Sequence, residues 1–133
     1  MKIVIMGCGR VGAMLAGRLS DAGHDISIVD LTASAFRRLP EGFAGTQIVG
    51  NGVDQDTLRE AGIEQADAFV AVTQGDNRNV MAAQVAMHLF DVERAVARIY
   101  DPERQKIYTE LGLRTVSPTV ILSDRLFDAV VDP

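Results

Sequence analysis

Along this chain, short apolar runs alternate with stretches in which apolar residues recur every three or four positions. The runs Lys2–Met6, Asp25–Val29, Gln47–Val49, Ala66–Val72, Arg94–Tyr100 and Arg114–Val116 read as six strands, and Ala66–Val72 is nearly continuous in apolar residues, as a strand buried on both faces should be. The stretches between them read as helices with recognisable ends. Val11, Leu15, Leu19 and Ala22 share one face of the first. Thr32–Leu39 reads as a short helix stopped by Pro40, with Arg37 and Arg38 on its solvated face. Asp54 is a natural N-cap for Gln55–Ala61, and Gly62 is its stop. Asp76 or Asn77 starts a helix toward Leu89, and Asp101-Pro102 starts another that reaches Leu111 and ends at Gly112. Met81 and Met87, at helical spacing, read as core, while His24 and His88 read as surface or helix-end residues with nothing of metal-ligand spacing around them. Strand alternating with helix is the pattern of the α/β class.

The last helix, opening at Ser117-Pro118, is unusual in the width of its apolar surface. Val120, Phe127 and Val131 fall on one side, and Leu122, Leu126, Ala129 and Val130 on another, so more than half the circumference is apolar. Such a helix must bury two faces. The second would meet a partner subunit or a C-terminal domain, and a homodimer through this helix is expected.

Candidate chemistry concentrates in the first thirty residues. The first strand runs into Gly7-Cys8-Gly9-Arg10-Val11-Gly12, which opens the first helix, and the second strand closes on Asp30. This is the dinucleotide fingerprint in its proper setting: the first glycine permits a tight turn, the second lets a pyrophosphate approach the backbone, and the third lets helix and strand pack closely. A carboxylate at the position of Asp30 accepts ribose hydroxyls and repels a 2′-phosphate, so an adenine nucleotide of the NAD or ATP kind is expected and NADP is disfavoured. Gly50-Asn51-Gly52 follows the third strand, where open α/β sheets place ligands, and its two glycines call for unusual backbone angles. Asn51 either hydrogen-bonds an adenine edge or sits in a left-handed turn. Arg98, near the end of the fifth strand, either reaches a phosphate or pairs with a carboxylate such as Asp76. Cys8 fills the free second position of the fingerprint as a small loop residue, and as the single cysteine it has no partner for an internal disulfide.

Composition narrows the function classes. With 133 residues the chain is one domain, without room for a separate substrate domain. A net charge of −5 offers no basic face for nucleic acid. No stretch approaches the roughly twenty apolar residues of a membrane span, and the N-terminus does not read as a signal peptide. A cytoplasmic location is expected.

These residues together resemble the nucleotide-binding N-lobe of RCK/KTN domains, also called TrkA-N, the cytosolic regulators of potassium channels and transporters. The resemblance covers essentially the whole chain. It rests on the glycine motif and Asp30, on Leu58-Arg59-Glu60-Ala61-Gly62-Ile63 with Ala66-Asp67, on Ala71-Val72-Thr73 with Asp76 and Asn79, on Ala97-Arg98, on Leu111-Gly112 and on Ser117-Pro118. It implies a Rossmann-type, doubly wound, six-stranded parallel sheet over residues 1–116, and a C-terminal crossover helix over 117–133 that joins a dimer. It also implies a nucleotide contacted by Gly7 to Val11 at its phosphates, by Asp30 at the ribose, by Asn51 and Gly52 at the adenine, and by Thr73 and Arg98 elsewhere, with Arg10 reaching a terminal phosphate held by the neighbouring subunit. The family usually reads Gly-Asp-Ala at Gly50-Asn51-Gly52 and Asp-Glu at Asp76-Asn77.

The function so implied is regulatory: a cytosolic module that binds NAD or NADH, or alternatively ATP, ADP or AMP, changes its dimer geometry, and gates a membrane potassium channel or transporter. Higher assembly, a peripheral position at the inner face of the membrane and no insertion of its own are part of that expectation. One rival is the coenzyme half of an NAD-dependent dehydrogenase, although no acid–base group is grouped with a substrate pocket. Another is a structural dimer without a ligand, against which Asp30 and the intact glycines argue.

Overall fold

The computed structural model describes residues 1–133. Six strands form one sheet: β1 (Lys2–Met6), β2 (Asp25–Asp30), β3 (Thr46–Val49), β4 (Ala68–Ala71), β5 (Arg94–Arg98) and β6 (Arg114–Val116). They lie in the order β3-β2-β1-β4-β5-β6, every neighbouring pair parallel. The chain winds outward from β1 through β2 to β3, then crosses to β4 on the other side of β1. Connections therefore diverge between the carboxyl ends of β1 and β4, and a crevice opens there. The helices are α1 (Arg10–Asp21), α2 (Gln55–Glu60), α3 (Asp76–Phe90), α4 (Pro102–Glu110) and α5 (Pro118–Val131). The expected α/β Rossmann-type architecture is the one observed.

Alternation along the strands divides the core in two. Ile3, Ile5, Ile26 and Ile28 pack with Ala13 and Ala16 of α1, while Val4, Met6, Phe69, Ala71, Ala95 and Ala97 pack with Leu58 of α2 and Val80, Ala83 and Ala86 of α3. Both main helices approach the sheet through small residues. In α1 the buried positions are Gly12, Ala13, Ala16 and Gly17, not the expected stripe: Val11 and Ala22 are exposed, and Leu15 and Leu19 only half-buried. A Cβ on Gly12 would overlap the Gly7 carbonyl oxygen, so close approach, rather than bulk, selects the inner face. In α3, alanines take the inner positions, and Met81, expected in the core, is 56% exposed.

Other departures are local. Thr32–Leu39 contains a 3-10 segment, Ala33–Arg38, in place of an α-helix. β4 begins at Ala68, two residues late, because a 3-10 turn (Ile63–Gln65) precedes it. The Asp67 side chain accepts the Lys2 N–H at 2.9 Å just before the strand starts. β5 stops at Arg98, two residues early. Within one chain α5 buries no residue. Its first turns form one wall of an apolar groove of about 530 Å³ over Val70, Val96 and Val116. Beyond that, Phe127 is 66% and Val130 83% exposed.

One buried side chain ties the carboxyl edge together. Asn79, fully buried in α3, accepts from the Thr73 N–H (3.0 Å) and hydroxyl (2.6 Å) and donates to the carbonyls of Thr73 and Arg98, both at 2.9 Å. The ends of β4 and β5 are thereby held to one helix. Asn79→Ala leaves several of these groups without partners, each costing about 1–3 kcal/mol. The expected loss of stability is about 3 kcal/mol, seen as a lower urea midpoint at unchanged slope; a loss below about 0.5 kcal/mol would contradict the role given to this residue.

Candidate functional site

A cavity of about 780 Å³ occupies the crevice at the carboxyl edge. Its walls come from the ends of all strands but β6, from the first turns of α1 and α3, and from the 3-10 segment after β2. That size lies within the range of small-molecule and cofactor sites.

The glycine loop forms one side. Gly7 adopts φ +109°, and its N–H donates to Val29 O at 2.8 Å. A side chain there would press on the backbone of Val72 and Thr73 at 3.0 Å, whereas a Cβ on Gly9 would meet nothing within 4 Å. The loop is thus packed behind Gly7 and Gly12 and open above Gly9. Gly9 also caps α1 without a side-chain acceptor, while α2, α4 and α5 are capped by Asp54, Asp101 and Ser117. First-turn N–H groups of α1 consequently face a space suited to an anion.

Asp30 closes the loop from β2. Its Oδ2 accepts the Cys8 N–H at 2.8 Å and its Oδ1 the Thr32 N–H at 2.9 Å. Each oxygen retains a further lone pair with which to accept a hydroxyl. Cys8 turns its side chain into the α1-side core and is fully buried. Burial, and next the Asp30 carboxylate, push its thiol above the ordinary value, with Arg38 acting in the opposite sense.

The cavity gathers most of the sequence-predicted residues: Gly7, Cys8, Gly9, Arg10, Val11, Asp30, Gly52, Thr73 and Arg98 all line it. Gly12 lies behind, in its packing role. Asn51 is exposed outside the lining, and its Oδ1 accepts the Val53 N–H at 3.1 Å, closing a local turn. The unusual angles expected around it are absent, since neither Gly50, Asn51 nor Gly52 has positive φ. Space explains both glycines. A Cβ on Gly52 would overlap the Met6 side chain, and one on Gly50 would meet Thr57 Cγ2 at 2.7 Å.

Arg98 does not pair with Asp76. Its Nη2 donates to the Val72 and Thr73 carbonyls at 2.8 and 2.9 Å, its guanidinium lies 4.9 Å from the Tyr100 ring centre, and its Nε is buried without a partner. The Asp76 carboxylate instead accepts the N–H groups of Tyr100 and Asp101, at 2.9 and 3.3 Å.

Two charged cavity residues escaped the sequence reading. Arg38 is exposed, as expected, and its side chain also borders the cavity, its Nη1 3.4 Å from Cys8 O. The 3-10 repeat of three places Arg38 directly in line with buried Ala35. Arg78 enters from the first turn of α3. Its signal was position alone, one turn beyond a strand that ends at the ligand edge.

The described geometry has counterparts among known proteins. The family model described as "TrkA-N domain" matches residues 3–118. The Trk system potassium uptake protein TrkA of Streptomyces coelicolor is 52% identical over 126 residues, which is 95% of this chain and 56% of that protein. A Trk system potassium uptake protein TrkA homolog from Pyrococcus abyssi is 37% identical over 139 residues, all of this chain and 61% of that protein. The chain thus spans little more than half the length of these relatives. The TrkA-N domain of inner membrane protein ybaL from Escherichia coli superposes with a TM-score of 0.84 at 16% identity, covering 96% of this chain and 95% of that one, a likeness of fold. GsuK bound to ADP matches with a TM-score of 0.82 at 25% identity over 98% of this chain and 34% of that one. The GsuK channel bound to NAD gives 0.80 at 26% over 96% and 22%.

Because the folded state favours the neutral Cys8 thiol, its contribution to stability is whole below the unfolded thiol's pKa, about 8.5, and is lost as pH rises through the raised native value. Denaturant midpoints should accordingly fall above about pH 8.5 more steeply for the native sequence than for Cys8→Ala. Identical pH profiles would refute that assignment.

Proposed function

The chain belongs to the TrkA-N domain family, and from that premise we propose that it is the nucleotide-sensing portion of a potassium-transport regulator. The observation that carries the reading is the Asp30 carboxylate, fixed by the Cys8 and Thr32 N–H groups at the cavity wall with lone pairs to spare. A ribose diol fits such an acceptor. The ligand is an adenine nucleotide, NAD or NADH or else ATP, ADP or AMP. Gly7, Cys8, Gly9, Val11 and the backbone of Arg10 hold its phosphates, and Thr73 and Arg98 its far end. Gly52 leaves room at the adenine side, with Asn51 just outside. What such a ligand supplies is binding energy, and the chain acts as a regulatory, non-catalytic module.

Signalling requires a second arrangement of the protein. A ligand shifts an equilibrium only by binding one state better than the other. We assign that difference to Arg10, exposed at the start of α1 beside the phosphate loop, reaching a phosphate held by a second copy of the chain. The second copy packs on α5, whose apolar surface is left open by its own sheet. The dimer, alone or in a larger assembly, sits in the cytoplasm against the inner face of the membrane. There it acts on a membrane potassium channel or transporter through contacts of its own. No helix is long and apolar enough to cross a membrane.

The test is calorimetric titration of the chain with NAD, NADH, ATP, ADP and AMP, together with small-angle scattering of each complex. Binding of at least one nucleotide is expected, as is its loss by tenfold or more in Asp30→Ala, the removal of a charge-assisted acceptor pair being worth about 1.5–3 kcal/mol. Arg10→Ala should preserve AMP affinity while abolishing nucleotide-dependent change in the scattering profile. Unaltered reshaping in that variant would sink the role of Arg10.

A further inference from the structure

The chain holds three asparagines, Asn51, Asn77 and Asn79, and the fold treats them differently. Asn77 and Asn79 sit within α3. Asn79 is fully buried with both ends of its amide engaged, and the Asn77 Oδ1 accepts from Arg104 Nη1 at 3.1 Å. Each is followed by a residue with a bulky side chain, Arg78 and Val80. Asn51 differs on every count. It is exposed, lies outside helix and strand, and is followed by Gly52.

The Asn51 side chain folds back on the peptide groups that follow it. Its Oδ1 accepts the Val53 N–H at 3.1 Å, and its main-chain oxygen accepts the Asp54 N–H at 2.9 Å. A turn of this kind brings the side-chain carbonyl over the Gly52 nitrogen, which lies between the bonded groups. The Val53 N–H also draws electron density from that carbonyl, which makes Cγ a better electrophile. The Gly52 N–H donates to no acceptor in the chain. Nor does a side chain shield it, since a Cβ at Gly52 would overlap the Met6 side chain and packing keeps glycine there. Met6 covers the Cα side of Gly52, while the amide open to attack belongs to exposed Asn51. The constraint that selects glycine at this turn thus leaves its nitrogen open to the preceding side chain.

We infer that Asn51-Gly52 is a site of spontaneous deamidation in the folded chain, at which Asn51 converts to aspartate and isoaspartate. Asparagine is among the thermally labile side chains. The Gly52 nitrogen gives its proton to solvent base and attacks Asn51 Cγ, forming an N–Cγ bond. The side-chain nitrogen takes up a proton and leaves as ammonia, and a five-membered imide remains. Water then opens the ring at either carbonyl. Cleavage of the new N–Cγ bond gives aspartate. Cleavage between the Asn51 main-chain carbonyl carbon and the Gly52 nitrogen gives isoaspartate, whose chain runs through Cγ. Overall one water is consumed and one ammonia released, with no oxidant or reductant. Either product adds a carboxylate beside Gly50 and Gly52, which line the cavity. Isoaspartate also lengthens the main chain by one methylene group where Gly52 is fitted against Met6.

The deciding experiment ages the whole chain and Asn51→Gln in mildly alkaline buffer at physiological temperature, both folded and unfolded in urea. Peptides are then mapped by mass spectrometry with fragmentation that separates aspartate from isoaspartate. Asn51 is exposed, so the glutamine variant keeps the fold, which its circular dichroism verifies. The folded parent should gain the mass of –OH in exchange for –NH2 at residue 51, faster at higher pH and no more than about tenfold slower than the unfolded chain. Asn77 and Asn79 should stay intact in the folded chain over the same period. Asn51→Gln should stay unmodified at that position, because ring closure from glutamine needs a six-membered ring. The isoaspartyl fraction, separated by ion exchange, should melt below the parent, and Asn51→Asp close to it. A folded chain that keeps Asn51 while the unfolded chain loses it, or that converts Asn77 or Asn79 as fast, overturns the site. An isoaspartyl fraction that melts like the parent overturns the distortion assigned to the turn.

Discussion

The hydrogen-bonding ladder of a parallel sheet has to end somewhere, and where it ends, backbone groups lose their partners. Every functional feature of this molecule follows from how its carboxyl edge meets that constraint. Side chains sent from neighbouring elements take over. Asp30 receives the N–H groups of Cys8 and Thr32, Asn79 links Thr73 to Arg98, Asp76 receives Tyr100 and Asp101, and Arg98 donates to Val72 and Thr73. Of these groups, Asp30 and Arg98, with the backbone they hold at Cys8, Thr32, Val72 and Thr73, also line the cavity. A rim held this tightly presents its remaining donors and acceptors at fixed positions, which is what recognition of a polar ligand needs.

Much of this was legible in the sequence because it rests on local rules. The strand runs, the caps at Asp54 and Asp101, the helix start at Ser117-Pro118 and the glycine motif with Asp30 are short-range patterns, and all six strands fall on the predicted runs, with β4 and β5 shorter than expected. What escaped depends on distances across the fold. The inner face of α1 is chosen by how near Gly12 must come to Gly7, which a search for large apolar residues cannot see. Gly50 and Gly52 answer to the bulk of Thr57 and Met6, not to their own dihedral angles. Arg38 is solvated as its sequence suggests, but only the fold shows that the solvent it faces is the cavity. Of the two partners open to Arg98, the carboxylate of Asp76 is engaged elsewhere, at the turn into α4.

Charge is distributed against the average. The chain as a whole is acidic, with a net charge of −5, yet its main cavity is lined by four arginines and one aspartate. An acidic exterior discourages nonspecific association with nucleic acids and anionic surfaces, while a positive recess focuses the field where an anion enters. Net charge alone therefore says little about the potential inside the cavity.

A helix of 14 residues standing apart from its own sheet has little beyond local propensity to hold it, and isolated helices of that length are marginal in water. For α5, order and contact consequently arise together. Its amide hydrogens are expected to exchange faster than those of the sheet, and more slowly once Phe127 and Val130 are covered. If association covers this helix, its protection against exchange rises with the concentration of the covering surface.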